Sequence, residues 1–140
     1  MPISDKFNQR AVSLKPSGIR KFFDLAYTME NVVSLGIGEP DFVTPWHIRD
    51  AGIYSLEKGN TMYTPNSGLP QLRKAISNYL HRRFAMDYSP DEVLVTVGGS
   101  EAIDLALRAF ITPGDEVIIP EPCFVCYEPI TQLCGGVPVP

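Results

Sequence analysis

The sequence has 140 residues, of which 44% are hydrophobic and 20% are charged, and this composition is typical of a globular domain and excludes a disordered segment. Twelve Lys and Arg against sixteen Asp and Glu give a formal charge of -4, so we expect no nucleic-acid partner. Charges are spread through residues 1–20 and no apolar span reaches membrane-helix length, so we expect a cytoplasmic protein without a membrane segment.

The first part of the chain is predicted to contain an arm, a helix and a short strand. Residues 1–16 lack a clear hydrophobic period and are expected to form an extended N-terminal arm. Ser17 is a candidate N-cap for a helix over 19–29. A short strand over 32–35 then leads into the glycine-rich stretch 36–42.

Two further helices are predicted in the middle of the chain. Thr44 and Pro45 are expected to be the N-cap and first residue of a helix that ends near Lys58. Residues 60–70 have the composition of a turn. The strongest helical pattern follows, with apolar residues spaced so that they share one face: Leu72, Ala75, Ile76, Tyr79, Leu80 and Phe84.

From Val93 onward the pattern is that of an α/β fold. Strands are predicted over 93–97 and 117–119, with a helix over 101–110 between them. Such a crossover builds a parallel sheet covered by helices. Another helix over 124–134 and the start of a strand at 137–140 continue the alternation, so we expect the chain to be the N-terminal part of a longer polypeptide.

The loop between the predicted strand and helix has the sequence Gly98-Gly99-Ser100. A helix start leaves N–H groups without partners at the positive end of the helix dipole, where a phosphate can bind. Glycine allows close backbone approach, and the Ser100 hydroxyl can donate to the phosphate. The alternative is that Ser100 only caps the helix. The spacing matches neither the dinucleotide nor the P-loop fingerprint.

Two other short motifs occur without the context that would give them a function. Cys123 and Cys126 form a C-x-x-C pair, which could bind zinc or act as a redox pair, but no second pair of metal ligands accompanies it. We therefore expect no metal and interpret these residues as two buried free thiols. Residues 55–58 match S-x-x-K without the other motifs of serine acyl enzymes, and we interpret them as a helix end.

Four stretches together resemble one known family. They are SLGIGEPDFVTP at 34–45, YTPNSGLPQLR at 63–73, VGGSEA at 97–102 and PGDEVIIPEPCFVCY at 113–127. In order and spacing they resemble the N-terminal part of class I, fold-type I aminotransferases that depend on pyridoxal phosphate, in the aspartate-type and diaminopimelate-related branch. This resemblance implies transfer of an amino group between an amino acid and a 2-oxo acid.

The resemblance also implies roles for individual residues. Gly99, Ser100 and Glu101 hold the phosphate through their backbone and the Ser100 hydroxyl, and Phe124 stacks on the pyridine ring. Tyr63 reaches the cofactor phosphate of the neighbouring subunit, which implies a homodimer with shared active sites. Gly38 contacts the substrate carboxylate. The Glu121-Pro122 peptide bond is cis in some members of the family, and we predict a cis bond here.

The family fold implies a domain division in which 1–16 is the arm, 17–45 is a segment of the small domain with its connection, and 46–140 is the start of the large cofactor-binding domain. The family's cofactor-binding lysine has no counterpart in residues 1–140, so no catalytic residue is assigned here and the 140 residues alone are expected to be inactive. A lyase or decarboxylase of the same fold, and a regulator that only senses a ligand, stay open as alternatives.

Overall fold

The computed structural model describes residues 6–16, 18–33, 38 and 40–140. Their helices are α1 (Gln9–Ser13), α2 (Ile19–Tyr27), α3 (Trp46–Glu57), α4 (Pro70–Phe84), α5 (Gly99–Phe110) and α6 (Tyr127–Cys134), and their strands are β1 (Glu116–Ile118) and β2 (Val137–Val139). They form two compact units. The sheet unit contains the described residues up to Gly18 together with Thr96–Pro140, and the helical unit contains those of Ile19–Val95. The predicted division into arm, small-domain segment and large domain does not correspond to these two units, and it stays a prediction.

In the helical unit, α4 holds the segment that follows it. Arg73 donates from Nε to the Val93 carbonyl at 2.9 Å and from Nη2 to Asp91 at 3.0 Å, and the Ser77 hydroxyl donates to the Tyr88 carbonyl. The segment also contains a short 3-10 turn at Pro90–Glu92 with a capping box. These bonds align residues 88–95 along α4. The predicted helix is confirmed, but no residue of it is buried, and four residues of its predicted apolar face are exposed: Leu72, Ala75, Tyr79 and Phe84.

Four other predictions for the first 97 residues are not confirmed. Pro45, and not Thr44, is the N-cap of α3, and no side chain caps this helix, so the predicted Thr44 cap is wrong. The predicted strand over 93–97 does not form a ladder among the described residues, because the Val95 N–H donates instead to the Ser67 carbonyl at 3.0 Å. The Ser17 cap and the second half of the strand over 32–35 lie outside the described residues.

The sheet unit is built around the parallel pair of β1 and β2, which are connected by α6. Val137 N–H donates to the Asp115 carbonyl at 2.7 Å and Ile119 N–H to the Val139 carbonyl at 2.8 Å, at the two ends of the ladder. Thr131 on α6 is fully buried, and its hydroxyl donates to the Tyr127 carbonyl at 2.8 Å. The strands predicted near 117 and 137 are therefore confirmed, and the α/β crossover that forms uses α6.

A close approach of backbone to side chains fixes the end of α6. A Cβ added to Gly136 would lie 2.9 Å from Ile111 Cγ2 and 3.0 Å from Thr131 Cγ2, so glycine is needed for this packing. At the neighbouring Gly135, an added Cβ would meet the Arg10 guanidinium at 2.7 Å. Arg10 belongs to α1, which contacts α6. The expectation of an arm that is extended throughout is thus wrong for Gln9–Ser13, which are helical because Asn8 caps them.

No helix in the part of the chain that the structure describes is long and apolar enough to cross a membrane.

We predict that Gly68→Ala destabilises the native protein. Gly68 is buried with φ +101°, and an added Cβ would lie 2.5 Å from Cγ2 of Val95, whose branched side chain cannot turn away. Left-handed backbone and overpacking together should lower the free energy of unfolding by about 2 to 5 kcal/mol. Gly59→Ala is the matched control, because Gly59 has φ +75° but no atom within 4 Å of its added Cβ. Equal losses in denaturant unfolding of the two variants would contradict the packing argument.

We also predict a pH-dependent contribution from Asp115 in the turn before β1. The Thr112 N–H and hydroxyl each donate to Asp115 Oδ2 at 2.7 Å, and these two bonds hold the pKa of Asp115 below its ordinary value of 3.8. A depressed pKa means that the carboxylate stabilises the fold above pH 3.8, and that this stabilisation is lost as the pH falls through the lower folded-state pKa.

The measurement is denaturant unfolding of Asp115→Asn at a series of pH values. The variant should be less stable than the parent at pH near 7, and the difference should shrink and vanish toward about pH 2. Glu116→Gln serves as a control, because Glu116 is the exposed neighbour and its side chain makes no hydrogen bond among the described residues. A stability difference for Asp115→Asn that does not change with pH would show that the turn does not depend on the charge.

Candidate functional site

The site begins at the loop that connects Thr96 to the first residue of α5. Gly98 has φ 84° and ψ 167°, a conformation that only glycine adopts readily. The Thr96 hydroxyl donates to the Gly98 carbonyl at 3.0 Å, and the same carbonyl accepts the first helical bond from the Ala102 N–H at 3.5 Å. The loop therefore turns sharply at Gly98, and α5 starts directly after it.

This turn leaves a group of backbone donors at the start of α5. Among the described residues, the N–H groups of Gly98, Gly99, Ser100 and Glu101 have no hydrogen-bond acceptor. A Cβ added to Gly98 or Gly99 would meet no atom within 4 Å, and Ser100 is exposed. We call these four N–H groups with the Ser100 hydroxyl the donor cup. Its donors, the helix dipole and the open space fit an anion the size of a phosphate.

The position of Ser100 tests its interpretation as the N-cap of α5. Gly98 is the N-cap of α5, and no side chain caps this helix. Ser100 is the second helical residue, so the interpretation of Ser100 as a simple N-cap is wrong. Its hydroxyl is available to a ligand at the surface.

The Glu101 side chain has a contact that the sequence analysis did not predict. Its carboxylate oxygen Oε2 accepts a hydrogen bond from the Val97 N–H, on the far side of Gly98. The sequence signal for this bond is the position of Glu101 as the third helical residue after the N-cap, which is the spacing of a capping box. The partner here is the residue before the N-cap, so the motif differs from the usual one by one position.

The N-terminal end of α6 lies beside the donor cup. Burial raises the pKa of the Cys126 thiol, while a hydrogen bond with the Ser100 side chain opposes this rise. Cys126 is the N-cap of α6, and α6 contacts α5. The helix that carries Cys126 thus forms one side of the space in front of the cup.

Phe124 precedes Cys126 by two residues. Its ring lies at 81° to the ring of Tyr127 with ring centroids 5.9 Å apart, and Phe124 is half exposed. The Glu121-Pro122 peptide bond upstream of the ring is cis, and this prediction is confirmed.

The cysteines differ from their predicted burial. Cys123 is exposed and Cys126 is partly buried, so the interpretation of two buried thiols is wrong for Cys123. Both are free, as is Cys134. Within the described residues no group of three or more His, Cys, Asp or Glu side chains is placed to hold a metal ion.

The structure places Gly99, Ser100 and Glu101 together in the first turn of α5 in the sheet unit, and Phe124 belongs to the same unit. Tyr63 and Gly38 belong to the helical unit. Tyr63 is fully exposed in the loop after α3, and its hydroxyl makes no hydrogen bond with any of the described residues. Gly38 is exposed, and its neighbours at 34–37 and 39 lie outside the described residues.

Known proteins with similar sequences are aminotransferases. "Putative aminotransferase YugH" of Bacillus subtilis (strain 168) is 64% identical over 127 residues, which are 90% of this chain and 33% of that protein. "Aspartate aminotransferase" of Pyrococcus abyssi is 46% identical over 140 residues, covering 99% of this chain and 35% of that protein. The chain thus spans about a third of the length of these relatives.

Solved structures show the same fold. The aspartate aminotransferase from Thermus thermophilus with maleate superimposes with a TM-score of 0.86 at 36% identity, over 95% of this chain and 36% of that one. The crystal structure of Pyrococcus protein-A1 gives a TM-score of 0.87 at 45% identity, over 94% of this chain and 34% of that one. The predicted α/β fold of fold-type I aminotransferases is therefore confirmed. Residues 30–140 match the family described as aminotransferase class I and II, and the chain belongs to that family.

Proposed function

We propose that the protein is a pyridoxal-phosphate-dependent aminotransferase that moves an amino group between an amino acid and a 2-oxo acid. The observation that carries the proposal is the donor cup at the start of α5, in a chain that belongs to an aminotransferase family. Four N–H groups and a hydroxyl at the positive end of a helix dipole can donate hydrogen bonds to the terminal oxygens of a phosphate monoester.

The residues of the sheet unit would hold the cofactor at two ends. The N–H groups of Gly99, Ser100 and Glu101 and the Ser100 hydroxyl would bind the phosphate, and the half-exposed ring of Phe124 would stack on the pyridine ring. When bound, pyridoxal phosphate supplies the electron sink that weakens the bonds at the amino acid's Cα. The role of these 140 residues would be to bind and orient the cofactor, because no lysine in them matches the family's cofactor-binding lysine.

The helical unit would contribute the other two predicted residues. The exposed Tyr63 hydroxyl would donate to the cofactor phosphate of a second subunit, which makes the protein a homodimer with shared sites. The Gly38 N–H would bind the substrate carboxylate. A cytoplasmic location belongs to the same proposal.

The names of the relatives favour amino-group transfer over lyase or decarboxylase chemistry. Aspartate and aromatic amino acids occur in those names. Maleate, a dicarboxylate, accompanies one of the similar structures. Acidic and aromatic amino acids are therefore the substrates to assay first.

We predict that the native protein consumes an amino acid only when a 2-oxo acid is present. The assay incubates the purified protein with pyridoxal phosphate, 2-oxoglutarate and either aspartate or an aromatic amino acid, and it measures the new amino acid and the new oxo acid. The two products should form in equal amounts. Release of carbon dioxide or ammonia without an oxo acid would instead indicate a decarboxylase or a lyase. A protein of residues 1–140 alone is the control, and we expect it to show no turnover.

We predict that Tyr63→Phe weakens binding of pyridoxal phosphate. A hydrogen bond to a charged group contributes roughly 1.5 to 3 kcal/mol, so the dissociation constant in the native protein should rise about 10- to 150-fold. Tyr27→Phe is the matched control, since Tyr27 is also an exposed tyrosine of the helical unit, 92% accessible. Sedimentation of both variants checks that the dimer is intact.

A mixing experiment tests whether Tyr63 acts across the subunit interface. One variant lacks the family's cofactor-binding lysine, and the other carries both Tyr63→Phe and Ser100→Ala. In a heterodimer, the site that retains the lysine keeps its defective Ser100 but receives an intact Tyr63 from the other subunit, so its cofactor affinity should partly recover. If that site binds the cofactor no better than the double-variant homodimer does, the shared-site proposal fails.

A further inference from the structure

The Glu101 side chain points away from the donor cup that its own N–H helps to form. Its carboxylate accepts a hydrogen bond from the Val97 N–H, so the side chain forms a bridge across Gly98, from the first turn of α5 to the residue before Gly98. We propose that Glu101 is a positioning residue for the cofactor phosphate, and that its side chain holds the cup in its binding geometry by this hydrogen bond. The inference rests on the proposed function, because it takes the phosphate of that cofactor as the ligand.

The bridge is needed because of the backbone conformation of Gly98. Glycine loses more conformational freedom on ordering than any other residue, and Gly98 must be held at φ 84° and ψ 167° for the loop to face the ligand. No atom lies within 4 Å of where its Cβ would be, so packing does not hold it there. Two hydrogen bonds surround it: Thr96 hydroxyl to the Gly98 carbonyl at 3.0 Å, and Val97 N–H to the Glu101 carboxylate.

The two bonds restrain different parts of the turn. The Thr96 bond acts on the Gly98 carbonyl, and the Glu101 bond acts on the Thr96–Val97 peptide, which carries the Val97 N–H. Without the Glu101 bond, the Val97 N–H has no other acceptor among the described residues, and the Thr96–Val97 peptide is no longer tied to the first turn of α5. Movement of Val97 would displace the Gly98 N–H, the first donor of the cup, because that N–H belongs to the peptide that follows Val97.

Charge and hydrogen bonding act in opposite directions at Glu101. A carboxylate in the first turn of α5 repels a phosphate bound at the same helix end, although it is favourable toward the helix dipole. The charge therefore weakens phosphate binding, whereas the hydrogen bond to Val97 supports it. A neutral acceptor of the same length would keep the bond and remove the repulsion, so two conservative substitutions separate the two effects.

The experiment measures equilibrium binding of pyridoxal phosphate and of pyridoxal, which lacks the phosphate, to the native protein without cofactor. Glu101→Gln keeps the length and an acceptor oxygen, and it should bind pyridoxal phosphate at least as tightly as the parent. Glu101→Asp keeps the charge but is one methylene shorter. It should bind pyridoxal phosphate about 3- to 10-fold more weakly, which corresponds to one lost hydrogen bond, and pyridoxal with parental affinity.

Glu128→Gln and Glu128→Asp are the matched controls. Glu128 also has a carboxylate in the first turn of a helix of the sheet unit. Among the described residues, however, its carboxylate accepts a hydrogen bond only from Gln132, which follows it on α6. Both controls should bind both ligands like the parent. Thermal unfolding of all four variants, followed by circular dichroism, accompanies the binding measurements.

The inference is overturned if Glu101→Asp retains parental affinity for pyridoxal phosphate, or if Glu101→Gln loses as much affinity as Glu101→Asp. It is also overturned if pyridoxal binding falls by the same factor, or if Glu101→Asp does not fold, because Glu101 then supports the fold in general. The parent protein tests the proposed function separately: a parent that binds pyridoxal phosphate but performs no amino transfer refutes the activity and leaves the binding comparison intact.

Discussion

The arrangement of the sheet unit depends on the unpaired backbone donors at the start of α5. A helix has no internal acceptors for its first N–H groups, and most proteins supply a capping side chain for them. Here the N-cap is Gly98, which has no side chain to offer. The donors are left open toward solvent, where water can satisfy them, and an anion that replaced this water would form charge-assisted hydrogen bonds with them.

The rest of the unit holds the surroundings of these donors in place. Thr131 is fully buried on α6, and Gly136 allows the backbone after α6 to pass against Ile111 and Thr131 before it pairs with β1. This packing fixes α6 relative to the strands. Because α6 also contacts α5, the same packing holds the segment before α6, which contains Phe124, on the α5 side of the sheet unit.

Sequence patterns predicted the local structure better than the pairing of distant segments. The helix Pro70–Phe84 was predictable because its apolar spacing is a property of the segment itself. The expected strand over 93–97 has apolar residues on both faces, yet a strand exists only when another strand supplies a ladder, and the pattern does not say which one. The Glu101 side-chain bond was missed because the glycine at the N-cap made the capping box incomplete, and Ser100 attracted the capping role instead.

The chain has a formal charge of -4, and yet it is proposed to bind a dianion, which the total charge would repel. At physiological ionic strength, exposed charges more than about 8 Å apart are largely screened, so the total charge has little influence on a ligand at the cup. The groups in direct contact decide the affinity, and these are N–H donors and a hydroxyl. The carboxylate nearest to them belongs to Glu101, and it is directed back onto the Val97 N–H. A hydrogen-bond donor thus occupies one of its two oxygens, and the loop gains a restraint.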